Sequence, residues 1–182
     1  MGGTFDPIHI GHLRAAETAR EALQLDQVLF VPAGQPPHRD APKASAQDRF
    51  AMVGLAAAEH ARFVASDVEL RREGPSYTVD TLGSLRGSCP ADELVLIVGS
   101  DTFPEMRGWR DSERVFALSQ VAVVTRPGVA APAAAERVTS VSGPALEVSS
   151  STIRELLRQR KSVRYLVPAQ VADYIAERGL YR

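Results

Sequence analysis

The chain has 182 residues, 45% apolar and 24% charged, enough to bury one core and expected to form a single domain over 1–182. A formal net charge of −1 excludes a broad basic footprint for nucleic acid, and no apolar run reaches the roughly 20 residues that cross a bilayer. The lone cysteine, Cys89, excludes an intrachain disulfide, and the opening residues show no basic-then-apolar leader, so a cytoplasmic location is expected.

In chain order, MGGTFDPIHIGH opens as a glycine loop that leads into a helix from about Ile10, with Leu13, Ala16, Ala19 and Leu23 at helical spacing. QVLFVP (27–32) reads as a buried strand ended by Pro32, and PAGQPPHRDAP (32–42) as a proline-rich loop. Ser45 is the expected N-cap of a helix through 60. RFVASDVEL (62–70) is strand-like, 78–86 helical, and ELVLIVGSD (93–101) the clearest strand. A helix (111–119), a strand (120–128), an Ala/Pro connector (128–136) and a strand (136–141) follow. Helices over 149–160 and 168–179 close the chain as a C-terminal helical part (149–182); the last is expected to carry Pro168 at N1 and Gly179 as its stop.

Apolar, non-alternating strands between helices predict an α/β fold: a Rossmann-like, doubly wound parallel sheet with helices on both faces. In such sheets ligands bind beyond the carboxyl ends of the strands, so the loops at 2–12, 32–42, 99–110 and 126–128 are where chemistry is expected. A phosphate loop of this type should also follow a buried strand of about five residues. Met1 reads as the last residue of that strand, so the first strand is expected to be truncated here, with the true start upstream.

Three constellations carry chemistry. Gly2 and Gly3 allow close approach of a ligand to main-chain N–H groups, and His9 and His12 lie near a helix N-terminus that favours anions. Either histidine alone reads as a surface or core residue, and the i, i+3 pair could hold zinc, but no cysteine cluster or third histidine supports a metal site. In SSSTIRE (149–155), Ser150, Ser151 or the Thr152/Glu155 pair could cap a helix; Arg154 in the first turn opposes the dipole unless an anion sits nearby. Gly99 and Asp101 end the best strand, where Asp101 reads either as a helix cap or as an acceptor for ribose hydroxyls. Trp109, the only tryptophan, reads as core or as a stacking platform for a planar ring.

Taken together, GGTFDPIHIGHL, VPAGQPPHR, PSYTVDTL, IVGSD, Trp109, TRPG, VSSSTIR and VPAQVADYI, in this order along the chain, resemble the HxGH nucleotidyltransferases related to class I aminoacyl-tRNA synthetases. More narrowly, they resemble the bacterial nicotinate mononucleotide adenylyltransferases. Two features depart from that pattern: Arg39 where lysine is usual, and three serines ahead of Thr152. The resemblance implies transfer of AMP from ATP to nicotinate mononucleotide, giving deamido-NAD and pyrophosphate in NAD biosynthesis. ATP would be co-substrate, and Mg²⁺ would bridge its phosphates with few direct protein contacts. It implies His9, His12 and Arg154 at the ATP phosphates, and Gly2, Gly3, Thr4, Phe5, Gly99, Asp101, Ser150, Ser151 and Ile153 around the nucleotide. Thr78, Trp109, Arg39 and Arg126 would meet the pyridine nucleotide. A preference for the amide substrate, or a non-catalytic nucleotide sensor on the same fold, are the rival readings. The expected partners are small molecules, with no nucleic acid and no membrane; a homo-oligomer is compatible with these features.

Overall fold

The computed structural model describes residues 1–37, 41–125, 136–144 and 146–182. The elements run β1 (Gly2–Gly3), α1 (Ile10–Leu23), β2 (Val28–Pro32), α2 (Ala46–Ala57), β3 (Phe63–Ala65), α3 (Thr78–Ser88), β4 (Val95–Gly99) and a 3₁₀ turn (Phe103–Gly108). They continue with α4 (Ser112–Leu118), β5 (Gln120–Thr125), β6 (Val138–Ser142), α5 (Ser150–Arg158) and α6 (Ala169–Arg178).

Every strand pairing among the described residues is parallel. β2 joins β1 to β3, and β5 joins β4 to β6, giving two three-stranded ladders. β1 lies beside β4, so the spatial order is 3-2-1-4-5-6, and the winding reverses between β1 and β4. Parallel strands need crossovers, and the helices that supply them cover both faces. Side chains along β4 alternate accordingly. Ile97 joins the main core of Phe5, Ile8, Phe30, Met52, Ile153, Val171 and Ile175. Leu96 and Val98 join a second cluster with Val79, Leu82, Met106, Val115 and Val121. The doubly wound α/β arrangement expected from the sequence is present, and the two C-terminal helices share the main core rather than standing apart.

Several boundaries differ from the sequence reading. The strand expected over 62–70 stops at Ala65, because Leu70 and Arg71 turn back to donate to the Asp67 carbonyl. Ser45 does cap α2, its hydroxyl accepting the Asp48 N–H at 3.0 Å. For α5 the cap is Ser149, whose oxygen accepts the Thr152 N–H at 3.1 Å, and not Ser150, Ser151 or Thr152. Pro168 is the N-cap of α6 with extended ψ, not its first helical residue, while Gly179 ends it in the left-handed region as expected. The 3₁₀ turn at 103–108 carries no apolar period long enough to be read from sequence. The 126–128 loop and the connector through 135 lie outside the described residues.

β1 is two residues long, but its ladder with β2 starts one residue earlier. The Met1 amine donates to the Leu29 carbonyl at 2.8 Å, and Val31 N–H donates to the Met1 carbonyl at 3.0 Å. Beyond Met1 a slot continues between β2 and β4, lined by Leu25, Gln27, Leu29, Leu94, Val95 and Gln120. Burial pushes the pKa of the Met1 amine down to about 5, against the opposing pull of Glu69.

Candidate active site

A cavity of about 2030 Å³ takes in both that slot and a cleft that opens over the carboxyl ends of β1, β2 and β4. The cleft sits where the winding reverses, the position at which open parallel sheets bind ligands. Gly2, Gly3, Thr4, Phe5, His9, His12 and Gly99 line it, together with Asp101, Ser150, Ser151 and Arg154. Thr78 and Trp109 complete the wall on the other side of the switch point.

The first wall is the loop between β1 and α1. Phe5 is buried at φ +48°, and its ring meets His12 edge-on with centroids 5.0 Å apart. His9 is the N-cap of α1, buried, and its ring stacks on His12 at 3.6 Å. The His9 backbone N–H donates to Nδ1 of His12 at 3.2 Å. Burial, reinforced by His9, pushes the His12 pKa down to about 3, so its imidazole is neutral at physiological pH. The α1 terminus is less open than the sequence implies, because Ile10 N–H donates to the Leu166 carbonyl at 3.0 Å and His12 N–H to the His9 carbonyl at 2.9 Å. Gly11 is required beside these rings: a Cβ there would lie 2.9 Å from Val148 and 3.0 Å from Nδ1 of His9.

The second wall is the start of α5. Ser150 donates its hydroxyl to the Pro7 carbonyl at 2.9 Å. Arg154 reaches across to the first loop, donating through Nη1 to the Asp6 carbonyl at 2.7 Å and through Nη2 to Ser151 Oγ at 3.3 Å. The cation in the first helical turn therefore faces the histidine loop. Ile153 is fully buried in the main core and supports this wall from behind instead of lining the cleft.

On the far side, Thr78 is the first residue of α3 and Trp109 follows the 3₁₀ turn. Trp109 is half-buried and packs on the second core cluster, so it is both core and wall. Asp101 is exposed; its Oδ1 accepts the Thr102 N–H at 3.1 Å, and it caps no α-helix. Arg39 and Arg126 lie outside the described residues. Among the described residues no group of three His, Cys, Asp or Glu side chains is placed to hold a metal ion, and no helix is long and apolar enough to cross a membrane.

Three contributors were given no role by the sequence reading, although Asp6 and Ser76 lie in motifs that carry the resemblance. Arg49 is fully buried and donates to the carbonyls of Thr4 and Ala33, both at 2.7 Å, tying the first loop to the loop after β2. Its helical register with Met52, Val53 and Ala56, all buried, was the available signal: a cation on an apolar stripe needs acceptors. Asp6 accepts backbone N–H groups of Lys43 and Ala44 at 2.8 and 3.0 Å. Ser76 Oγ accepts the Gly34 and Gln35 N–H groups at 2.9 and 3.2 Å. Neither Asp6 nor Ser76 left a local signal of its contacts, because their partners lie about 40 residues away in sequence.

Fold and cleft together define a doubly wound α/β protein whose switch-point cleft is lined by histidine and arginine. The family model described as cytidylyltransferase-like matches residues 1–156, and the chain belongs to that family. A "Probable nicotinate-nucleotide adenylyltransferase" of Thermus thermophilus is 47% identical over 182 residues, covering 100% of this chain and 97% of the relative. One of the same name from Geotalea uraniireducens is 43% identical, covering 100% and 96%. Among solved structures, Plasmodium falciparum nicotinic acid mononucleotide adenylyltransferase complexed with NaAD superposes with a TM-score of 0.80 at 18% identity, covering 99% of this chain and 94% of that one. That likeness concerns the fold.

Proposed function

We propose that the chain transfers AMP from ATP to nicotinate mononucleotide, releasing pyrophosphate and giving deamido-NAD. The observation that carries this reading is the division of one cleft: His9, His12 and Arg154 on one side, Thr78 and Trp109 on the other. The names of the full-length relatives support it.

The chemistry needs no covalent intermediate. An oxygen of the mononucleotide phosphate attacks the α-phosphorus of ATP; the new P–O bond forms as the bond to the bridging α,β oxygen breaks, and that electron pair leaves on pyrophosphate. The nucleophile is already an anion, so no general base is required. What the protein supplies is position and compensation of charge. His12, neutral with its Nδ1 accepting from His9, presents Nε2–H as a donor, and Arg154 supplies the fixed positive charge. Gly2, Gly3 and Gly99 let the adenosine lie against backbone, while Thr78 and Trp109 receive the pyridine ring.

Mg²⁺ would be carried in with ATP as part of the substrate and would neutralise phosphate charge. The Asp6 carboxylate, 3.8 Å from Arg154, is engaged by backbone N–H groups. We place the reaction in the cytoplasm. The test is pyrophosphate release by the purified chain with MgATP and either nicotinate or nicotinamide mononucleotide. Turnover favouring the carboxylate is expected, and no release with nicotinate mononucleotide would overturn the assignment.

A further inference from the structure

The residue next to the C-terminus reaches the first loop of the cleft. After Gly179 closes α6, Tyr181 adopts φ +65° and donates its hydroxyl to Oδ1 of Asp6 at 2.8 Å, across 175 positions of sequence. Asp6 is buried, and its carboxylate then holds three donors: Tyr181 O–H and Ala44 N–H on Oδ1, and Lys43 N–H on Oδ2. Burial, with Asp6 adding to it, holds the Tyr181 phenol far above its ordinary pKa, so it remains a donor throughout the working range.

The consequence falls on Arg154. Its Nη1 is bonded to the Asp6 main-chain carbonyl at 2.7 Å yet stands 3.8 Å from Oδ2 of the same residue. The guanidinium is therefore anchored by a neutral acceptor and held just short of a tight ion pair. Without the Tyr181 hydroxyl the buried carboxylate keeps only its two backbone donors, and a buried charge with fewer donors attracts a cation more strongly. Arg154 is the cation within ion-pair range. Closing that gap would turn the guanidinium toward Asp6 and neutralise the charge the cleft presents to an anion. Tyr181 satisfies Asp6, and by doing so leaves Arg154 available.

We propose that Tyr181 is a positioning residue for ATP binding, acting through Asp6 to keep Arg154 directed at the nucleotide phosphates. The proposal rests on the reading of Arg154 as a phosphate ligand. A comparison with a tyrosine of α6 itself separates it from mere anchoring of the C-terminus. Tyr174 donates to Asp48 at 2.8 Å, an equal hydroxyl–carboxylate bond from α6 to α2 that has no contact with Arg154.

The test is the equilibrium affinity for MgATP, measured by calorimetry on the full chain carrying Tyr181→Phe, Tyr174→Phe, Arg154→Ala, or Tyr181→Phe with Arg154→Ala. Each phenylalanine keeps the ring and its packing, so folding is preserved. Tyr181→Phe is expected to weaken ATP by about five- to tenfold, and Tyr174→Phe by less than about twofold. The first loss is smaller than the roughly tenfold or more that direct loss of one hydrogen bond to a charged group costs, because the effect on ATP is indirect. In the Arg154→Ala background, Tyr181→Phe is expected to cost less than about twofold, since the group it acts through is gone. Unchanged affinity in Tyr181→Phe overturns the proposal. So does an equal loss in Tyr174→Phe, or an undiminished loss without Arg154. Because ATP binding alone is read, a parent chain that binds ATP but releases no pyrophosphate with nicotinate mononucleotide would refute the assigned reaction and still leave Tyr181 judged.

Discussion

The backbone N–H of His9 donates to Nδ1 of His12 at 3.2 Å while the two rings stack at 3.6 Å. One short segment thus sets both the tautomer and the protonation state of the second histidine. Acceptance at Nδ1 leaves the proton on Nε2, and a second imidazole against the ring face makes an added charge costly.

Removing that donor is expected to lower turnover without harming the fold. His12→Ala should reduce kcat by about 10²–10³-fold, the usual cost of deleting one donor to developing charge, with thermal unfolding at pH 7.5 little changed. Steady-state rates with MgATP and nicotinate mononucleotide check this; near-parental turnover would remove His12 from the mechanism.

The same burial makes stability depend on pH. Folding lowers the His12 pKa from 6.5 to about 3, so below pH 6.5 the unfolded chain binds a proton that the folded chain refuses. Its contribution to stability is therefore full above pH 6.5 and falls as pH drops toward 3, by at most about 1.4 kcal/mol per unit. Urea unfolding at pH 7.5 and 5.0 should show His12→Asn losing less stability on acidification than the parent, by up to about 2 kcal/mol. An identical pH slope in both proteins would contradict a neutral His12.

What was legible in the sequence follows from range. The histidine pair, the α5 start with Arg154, and the β4 end at Gly99 are each set by a few consecutive residues, so pattern and motif place them. Asp6, Arg49, Ser76 and Tyr181 act through partners 15 to 175 positions away, and no local period encodes such contacts. Ile153 shows the reverse error. It lies in a motif, but helical phase turns its side chain into the core while Arg154, one residue on, faces the cleft.

The loop after β2 is held by a close approach that only glycine permits. A Cβ on Gly34 would lie 2.8 Å from the Glu69 carbonyl oxygen, a backbone atom, and 3.4 Å from Ser76 Oγ. Gly34→Ala should therefore cost about 1–3 kcal/mol, as overpacking typically does. Ser76→Ala, which strands two N–H groups at a partly solvated site, should cost about 1 kcal/mol. Denaturant midpoints rank the two, and a Gly34→Ala variant as stable as the parent would mean that the loop can retreat from Glu69.

Trp109 separates the two halves of the cleft in function. It lies among residues of the second core cluster and lines the wall that also carries Thr78. Trp109→Ala should raise KM for nicotinate mononucleotide by about tenfold or more, since stacking on an aromatic face contributes about 1–3 kcal/mol. The affinity for MgATP should stay within about twofold. Equal weakening of both substrates would mean that the substitution collapses the wall and that Trp109 is not a dedicated platform for the pyridine ring.

Backbone groups of β2 and β4 face the slot between them. Leu29 directs its carbonyl to the Met1 amine, and Val28 on its other side donates to Arg62, so the Leu29 N–H faces the slot along with its carbonyl. On β4, Leu94 accepts from Gln120 of β5, which by alternation turns Val95 and Ile97 toward the same space. A parallel strand there would pair with both neighbours, and its attachment to Met1 would turn a buried amine with a pKa of about 5 into an ordinary amide. Fusing about five β-branched or apolar residues ahead of Met1 should therefore raise Tm by at least about 5 °C, equivalent to roughly 2 kcal/mol in a chain of this size. A Gly/Ser extension of equal length should raise it by less, since it offers no side chains to the two core faces. If both extensions leave Tm where it was, the slot is closed by its own walls in solution and the seam between β1 and β4 is complete without a further strand.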